Sequence, residues 1–284
     1  MPNHFQVLIL ALIQGLCELL PVSSSAHVIV AERIMGLNPS APAMTLLLVM
    51  LHTGTMAAVI LYFWKEWHDQ YFSSLEKFST ITRQVFLATL CTGILGLLFK
   101  VVIEKIFMHN LPHAEVEHLF SNLPLIASAL AAVGILMIYA GSRKEASDSQ
   151  ELTIKSSCWI GFIQGISLPF RGFSRSGSTI SMGLLLGISK KKIEAFSFAL
   201  AVVLTPVVLA KELHRFLQDS AMTSQGEMIF LLLQCIMGMV FSFFAGLVAL
   251  KWLSRWLEEG RWQFFGIYCL VAAAGILILS YFFL

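Results

Sequence analysis

The chain has 284 residues, of which 57% are hydrophobic and 13% are charged. A soluble domain carries about 25% charged residues, so this chain lacks the polar surface that water requires, and we expect it to lie in a lipid bilayer. The net charge of +2 argues against a nucleic-acid partner, which needs a dense basic face. The five cysteines are scattered singly, which indicates small buried side chains rather than metal ligands.

A complete membrane crossing needs about 20 consecutive apolar residues. Six segments reach that length, and we predict a membrane-spanning helix for each of them. These segments are 43–64, 85–107, 122–141, 193–213, 228–250 and 262–284.

Two other apolar segments, 6–20 and 158–170, are too short to cross, and their apolar runs stop at Pro21 and Pro169. Each is followed by chain rich in serine and glycine and then by a second short apolar run. The second runs are 26–36 and 178–189. This pattern predicts a re-entrant or broken helix, because non-helical backbone at membrane depth is tolerated only where it lines a polar cavity.

The two broken segments resemble each other. Ile13-Gln14-Gly15 recurs as Ile163-Gln164-Gly165, and Ser24 stands where Ser174 stands, with the same offset along the chain. Corresponding interrupted segments in two halves are typical of inverted-repeat membrane proteins with a site at the repeat interface.

We therefore predict an all-α polytopic membrane protein with one transmembrane domain over 1–284. The domain would consist of two inverted-topology repeats, over about 1–141 and about 155–284, each with one re-entrant or broken helix and together about six full spans. The orientation is left open, because re-entrant segments do not change sides and a count of basic residues depends on which segments cross.

The first motif covers residues 14–27 and combines a carboxylate with three serines. Gln14 and Glu18 are four residues apart, so on a helix they share one face. An acidic side chain within an apolar segment indicates a functional site. The serines, residues 23–25, stand where a new helix would begin, and its free N–H groups would favour an anion. Beside a phosphate, Glu18 would either hold a divalent cation or act as a general base.

The second motif reads Arg171-Gly-Phe-Ser-Arg175-Ser-Gly-Ser-Thr179. It again places hydroxyls and glycine at a predicted helix start, now with two guanidinium groups. Arginine binds phosphate through a fixed fork of donors. The two motifs together therefore predict one site for a phosphorylated ligand.

Simpler interpretations exist for some of these residues. Glu18 and Arg175 would also be compatible with a structural ion pair, and His27 with a hydrogen-bonded core histidine. We interpret His52, which has no partner in either motif, as structural. Residues 109–118 contain three histidines and two glutamates, but they lie in a proline-containing loop and are interpreted as solvated rather than metal-binding.

On these residues the chain resembles the undecaprenyl pyrophosphate phosphatases of the bacitracin-resistance (BacA) type. Residues 14–27 follow the family's first motif, whose leading position is Glu or Gln, and residues 172–179 follow its second motif. The likeness extends to Trp262 and Tyr268 at the start of the last span. Arg171 stands where the family usually has a proline.

The resemblance implies an integral membrane phosphatase that converts undecaprenyl pyrophosphate into undecaprenyl phosphate and inorganic phosphate. This reaction recycles the lipid carrier of peptidoglycan synthesis and confers bacitracin resistance. The resemblance also implies a multi-pass protein of the bacterial inner membrane, an active site facing the periplasm, and a divalent cation, Mg²⁺ or Ca²⁺. The alternative is a flippase for a polyprenyl phosphate, since broken helices in repeats are also transporter architecture. The oligomeric state is left open, with a homodimer as one option.

The resemblance further implies a role for each motif residue. The catalytic residues would be Glu18, Ser24, His27 and Arg175. The substrate phosphates would be bound by Ser23, Ser25, Ser174, Ser176 and Thr179, with Arg171 as an additional contact. Glu18 and Gln14 would hold the metal, and the attacking group would be either Ser24 or a water molecule.

Overall fold

The computed structural model describes residues 2–38, 41–103, 105, 122–143, 150–219 and 225–282. Within these ranges the chain forms helices and contains no β-strand, only one isolated bridge between Gln150 and Ile188. The helices are α1 (His4–Leu19), α2 (Ser24–Ile34), α3 (Pro42–Tyr71), α4 (Leu75–Val102), α5 (Leu123–Ser142), α6 (Ile154–Ser167), α7 (Arg175–Leu185), α8 (Lys190–Asp219), α9 (Gln225–Glu258) and α10 (Trp262–Phe282). The predicted all-α class is confirmed.

Five of these helices are long and apolar enough to cross a membrane. They cover Ala43–Tyr71, Leu75–Val102, Leu123–Ser142, Met228–Glu258 and Trp262–Phe282, and they correspond to five of the six predicted spans. The sixth predicted span, 193–213, lies within α8. Large apolar side chains such as Phe86, Ile94 and Leu97 are exposed along α4, which is the surface expected of a helix that faces lipid.

Two short helices end in the breaks that the sequence predicts. With 16 and 14 residues, α1 and α6 are both shorter than a full crossing. Pro21 and Pro169 lie in the breaks that follow them, where proline stops a helix by removing an N–H donor and crowding the preceding turn. Both helices also begin in the same way, with a capping box at Asn3 and at Thr153. The predicted breaks after the two short helices are therefore present, and a re-entrant course for these helices stays a prediction.

The order of helix lengths recurs along the chain. The lengths of α1 to α5 are 16, 11, 30, 28 and 20 residues, and those of α6 to α10 are 14, 11, 30, 34 and 21 residues. This recurrence is what two related halves would produce. The exact boundaries and the inverted orientation of the repeats stay predictions.

The chain forms two compact units, and each unit draws on both halves of the sequence. Unit one contains Met1–Leu20, His27–Trp64 and Ala201–Leu253, and unit two contains Pro21–Ala26, Lys65–Leu200 and Ser254–Leu284. The short serine segment of the first motif therefore groups with the unit that carries the whole second motif.

In unit one, α9 packs against the backbones of α1 and α3. A Cβ added to Gly15 would lie 2.7 Å from the Ser242 carbonyl oxygen, and one added to Gly54 would lie 2.2 Å from the Met239 carbonyl oxygen. The Ser242 hydroxyl also donates a hydrogen bond of 2.6 Å to the Leu51 carbonyl. Since no larger residue would fit at either glycine, α9 fixes the position of both helices along their axes.

In unit two, buried hydrogen bonds join α4 to α6 and α7 to α10. The Thr92 hydroxyl donates to the Gly161 carbonyl at 2.9 Å and accepts from the Gln164 amide at 3.1 Å. The Trp262 indole N–H donates to the Ser181 hydroxyl at 3.0 Å. Because buried polar groups are costly unless they are paired, these bonds specify which helix faces lie against each other.

Candidate functional site

The first motif is divided between the two units. Gln14, Glu18 and His27 belong to unit one, and Pro21–Ala26 belongs to unit two. The motif residues therefore form two groups. We call Gln14, Glu18 and His52 the carboxylate cluster, and Pro21–Ala26 with residues 174–179 the hydroxyl cluster.

The carboxylate cluster begins with the predicted pair on α1. Gln14 is almost completely buried, and its Nε2 donates a hydrogen bond of 3.2 Å to Oε2 of Glu18. The side chain of Glu18 keeps 19% of its surface exposed, so a small ion could reach it. The prediction that the two side chains share one helix face is confirmed, and the amide restricts the orientation of the carboxylate.

His52 on α3 completes this cluster. Its Nε2 lies 3.7 Å from Oε2 of Glu18, and its Nδ1 lies 2.8 Å from the Leu48 carbonyl oxygen. The interpretation of His52 as a residue without a partner in the motifs is therefore wrong. Nothing in the sequence spacing linked position 52 to position 18. An ionisable side chain within a predicted membrane span, as at His52, could nevertheless have indicated a functional residue.

The serine segment of the hydroxyl cluster is held in an unusual backbone conformation. Ser23 has φ +65°, and in the described part of the chain it is the only non-glycine residue with positive φ. Its hydroxyl lies 3.3 Å from that of Ser25, and the preceding Pro21 carbonyl accepts a hydrogen bond from the Cys269 thiol at 3.6 Å. Residues with strained backbone of this kind cluster at functional sites, which supports a functional role for this turn.

The strain at Ser23 makes a prediction about stability. We expect Ser23→Val to lower the free energy of unfolding by about 2 kcal/mol or more, because a β-branched side chain is disfavoured in the left-handed region, whereas Ser23→Gly should be tolerated within about 1 kcal/mol. Thermal unfolding of the purified protein in detergent measures both. Ser25→Val, at the second residue of α2, is the control, and equal losses for the two valine variants would contradict the prediction.

The second motif forms the first turn of α7 and packs against the serine segment. Ser174 is the N-cap, and its hydroxyl accepts from the Gly177 N–H at 3.2 Å and lies 3.5 Å from the Ser176 hydroxyl. A Cβ added to Gly177 would lie 3.2 Å from the Pro21 carbonyl oxygen. The structure thus brings the turn that precedes Ser23 against the first turn of α7, whose N-terminus favours negative charge.

The turn before α7 explains how Arg171 can replace proline. The Phe173 N–H donates to the Phe170 carbonyl at 3.0 Å, and Gly172 has φ +102°. A type II β-turn has a hydrogen bond between its first and fourth residues and a positive φ at its third residue. Proline is common at the second residue of such a turn. Arg171 occupies that second position with its side chain exposed, so the turn is kept.

Thr179 differs from the other hydroxyls because its contacts are with protein groups on the interior. It is completely buried, its hydroxyl donates to the Arg175 carbonyl at 2.8 Å, and it lies 2.6 Å from the Ser197 hydroxyl of α8. These bonds hold the first turn of α7, and therefore the half-buried Arg175, against α8. A direct phosphate contact by Thr179 stays a prediction.

The available donors fit a cation that shares its coordination with a substrate. Among the described residues no group of three or more His, Cys, Asp or Glu side chains could hold a metal, and none of the five cysteines forms a disulfide. The carboxylate cluster offers one carboxylate, one imidazole and one amide. Mg²⁺ is commonly bound by only one or two carboxylates plus substrate phosphates, so this set is chemically suitable. The histidine-rich segment 109–118 lies outside the described residues.

Comparison with known proteins agrees with these observations. A family model described as bacitracin resistance protein BacA matches residues 7–275. The chain is 56% identical to Undecaprenyl-diphosphatase 2 of Acinetobacter baylyi, with 96% of this chain and 97% of that protein covered. It is 32% identical to the Undecaprenyl-diphosphatase of Bacteroides thetaiotaomicron, covering 97% of this chain and 98% of the other, and 30% identical to that of Halothermothrix orenii with the same coverage. The chain therefore belongs to the BacA family of bacitracin resistance proteins.

Proposed function

We propose that this protein is an integral membrane phosphatase that hydrolyses undecaprenyl pyrophosphate to undecaprenyl phosphate and inorganic phosphate. The observation that carries the proposal is the 56% identity, over almost the whole chain, to a protein named Undecaprenyl-diphosphatase 2. The reaction recycles the lipid carrier of peptidoglycan synthesis and thereby counters bacitracin. We also propose that the protein works in the bacterial inner membrane with its active site facing the periplasm.

In this proposal the hydroxyl cluster binds the phosphates. Hydroxyls of Ser23, Ser25, Ser174 and Ser176 and the first N–H groups of α7 supply donors for the phosphate oxygens. The guanidinium of Arg175 takes up charge that develops on those oxygens during phosphoryl transfer, which is where most catalysis of this reaction arises. The exposed Arg171 would contribute a further contact to the phosphates.

The carboxylate cluster would prepare the attacking group. Glu18, oriented by Gln14, either holds the cation or accepts a proton from the nucleophile, which is the Ser24 hydroxyl or a water molecule. His27 lies one turn beyond Ser24 on α2 and would carry the proton. When bound, Mg²⁺ or Ca²⁺ would supply positive charge that neutralises the phosphate oxygens.

Phosphate release in detergent tests the proposed activity. In detergent micelles there is no membrane across which a lipid could be transported. Release of phosphate from undecaprenyl or farnesyl pyrophosphate is therefore expected from a phosphatase and not from a flippase. The assay should be run across isoprenoid chain lengths and across divalent cations. If Ser24 is the nucleophile, acid quenching during turnover would trap a phosphoserine. If a water molecule is the nucleophile, no phosphoserine would be found.

One result of this assay would contradict the proposed activity. If protein shown to be folded releases no phosphate with any divalent cation, the flippase alternative would be favoured, and transport of a polyprenyl phosphate into proteoliposomes would be the next measurement.

A further inference from the structure

The imidazole of His52 approaches Glu18 through its Nε2 atom. The Leu48 carbonyl oxygen, 2.8 Å from Nδ1, can only accept a hydrogen bond, so Nδ1 carries the ring hydrogen of the neutral form. Nε2 is then an acceptor, and 3.7 Å away stands Oε2 of Glu18, which is also an acceptor. A cation bound by both atoms, or a proton on the imidazole, makes this approach attractive.

The distance between the two atoms and the hydrogen bond of Nδ1 both suit a metal ion between Nε2 and Oε2. A separation of 3.7 Å is longer than a hydrogen bond. Two metal–ligand bonds of about 2.1 Å can span it at an angle of about 120°, so one ion can bind both atoms. A histidine that ligates a metal almost always donates its other ring N–H to a carboxylate, a backbone carbonyl or water, as His52 does here.

The scaffold around His52 is rigid. The Leu51 carbonyl, one residue before it, accepts the hydrogen bond from the Ser242 hydroxyl, and Gly54, two residues after it, lies against the backbone of α9 at Met239. On the other side of the gap, the Gln14 amide holds the Glu18 carboxylate. Both donor atoms are thus positioned before any ion arrives, which is what a precise metal site requires.

We propose that Nε2 of His52 and Oε2 of Glu18 are two ligands of one divalent cation. This inference rests on the proposed use of a cation at Glu18 and specifies its ligands and its chemical class. A nitrogen ligand disfavours Ca²⁺, which takes oxygen ligands, relative to the first-row divalent ions from Mn²⁺ to Zn²⁺. The site should therefore bind Mn²⁺ more tightly than Ca²⁺.

Pulsed electron paramagnetic resonance of bound Mn²⁺ tests the inference without measuring turnover. Detergent-solubilised protein loaded with one equivalent of Mn²⁺ should show a hyperfine coupling to one ¹⁴N nucleus. We expect His52→Gln to remove that coupling and to weaken Mn²⁺ binding by at least about tenfold. His4→Gln, which changes an exposed histidine on α1, is the matched control and should leave both unchanged.

A second measurement keeps the test decisive if His52→Gln folds poorly. Wild-type protein grown with ¹⁵N-histidine should show the coupling of ¹⁵N in place of ¹⁴N. If the wild type shows no histidine coupling, or if the coupling survives in His52→Gln and disappears in His27→Gln, the assignment of His52 is overturned.

The outcomes also separate this inference from the proposed function. Mn²⁺ binding that Glu18→Gln abolishes, but that shows no nitrogen coupling, would leave Glu18 as a metal ligand and reject His52. Absence of Glu18-dependent Mn²⁺ binding would reject both, while phosphate release in detergent would still decide the hydrolytic activity independently.

Discussion

Glu18→Gln is expected to lower the rate of phosphate release by about 10²- to 10⁴-fold while the protein stays folded. The glutamine side chain has the size of the glutamate, so it can still contact Gln14 and His52. It has no negative charge to hold a cation and cannot accept a proton from an attacking hydroxyl. Phosphate release at saturating substrate, together with thermal unfolding in the same detergent, measures both halves of this expectation.

The dependence on metal concentration distinguishes the two roles of Glu18. If the carboxylate holds the cation, the variant should need far more metal for half-maximal rate. If it acts as a base, the rate should stay low at saturating metal. Glu76→Gln, at an exposed position in the first turn of α4, is the matched control and should behave as wild type. A Glu18→Gln variant that retained more than a tenth of the wild-type rate would contradict both roles.

Gly172→Ala is expected to lower the free energy of unfolding by about 2 to 5 kcal/mol. Two effects add at this position. An alanine at φ +102° is strained, and its Cβ would lie 2.2 Å from the carbonyl oxygen of Ile126, a completely buried residue of α5. The turn that leads into Ser174 and Arg175 would then have to move, so phosphate release should fall as well. Thermal unfolding in detergent and the release assay check the two effects.

Gly187→Ala is a control that isolates the backbone contribution. Gly187 also has positive φ, +77°, and it follows α7 as Gly172 precedes it, but its added Cβ would meet nothing closer than Gln150 Cγ at 3.6 Å. In this variant the free energy of unfolding should fall only by the cost of backbone strain, about 1 to 2 kcal/mol. Equal destabilisation of the two variants would show that the contact with Ile126 contributes nothing.

The sequence predicted those features of the fold that depend on neighbouring residues. Apolar runs of sufficient length became helices that can cross a membrane, and the prolines at 21 and 169 fell in breaks, because both effects act within a few residues. The recurring Gln-Gly pair was also informative. Gln14 and Gln164 are both buried and hydrogen-bonded on helices that precede a break, although the latter bonds to Thr92 rather than to a carboxylate.

The contacts that the sequence did not reveal are those between distant positions. Thr179 was predicted from its motif to bind phosphate, yet its visible partners, Arg175 and Ser197, show it holding α7 to α8. The approach of His52 to Glu18 depends on how α9 clamps α1 and α3, and no local pattern encodes that packing. A single sequence read alone also carries no signal that couples position 18 to position 52.

The hydrogen bond between Pro21 and Cys269 has a consequence for how the protein is made. Its two partners are 248 residues apart, and the serine turn belongs to the unit that α10 completes. Ribosomes add about 5 to 20 residues each second, so this turn waits roughly 10 to 50 seconds for its anchor. The serine turn is therefore synthesised long before the helix that contacts it. A nascent chain that stops before α10 carries the serines without the hydrogen bond from Cys269 to Pro21.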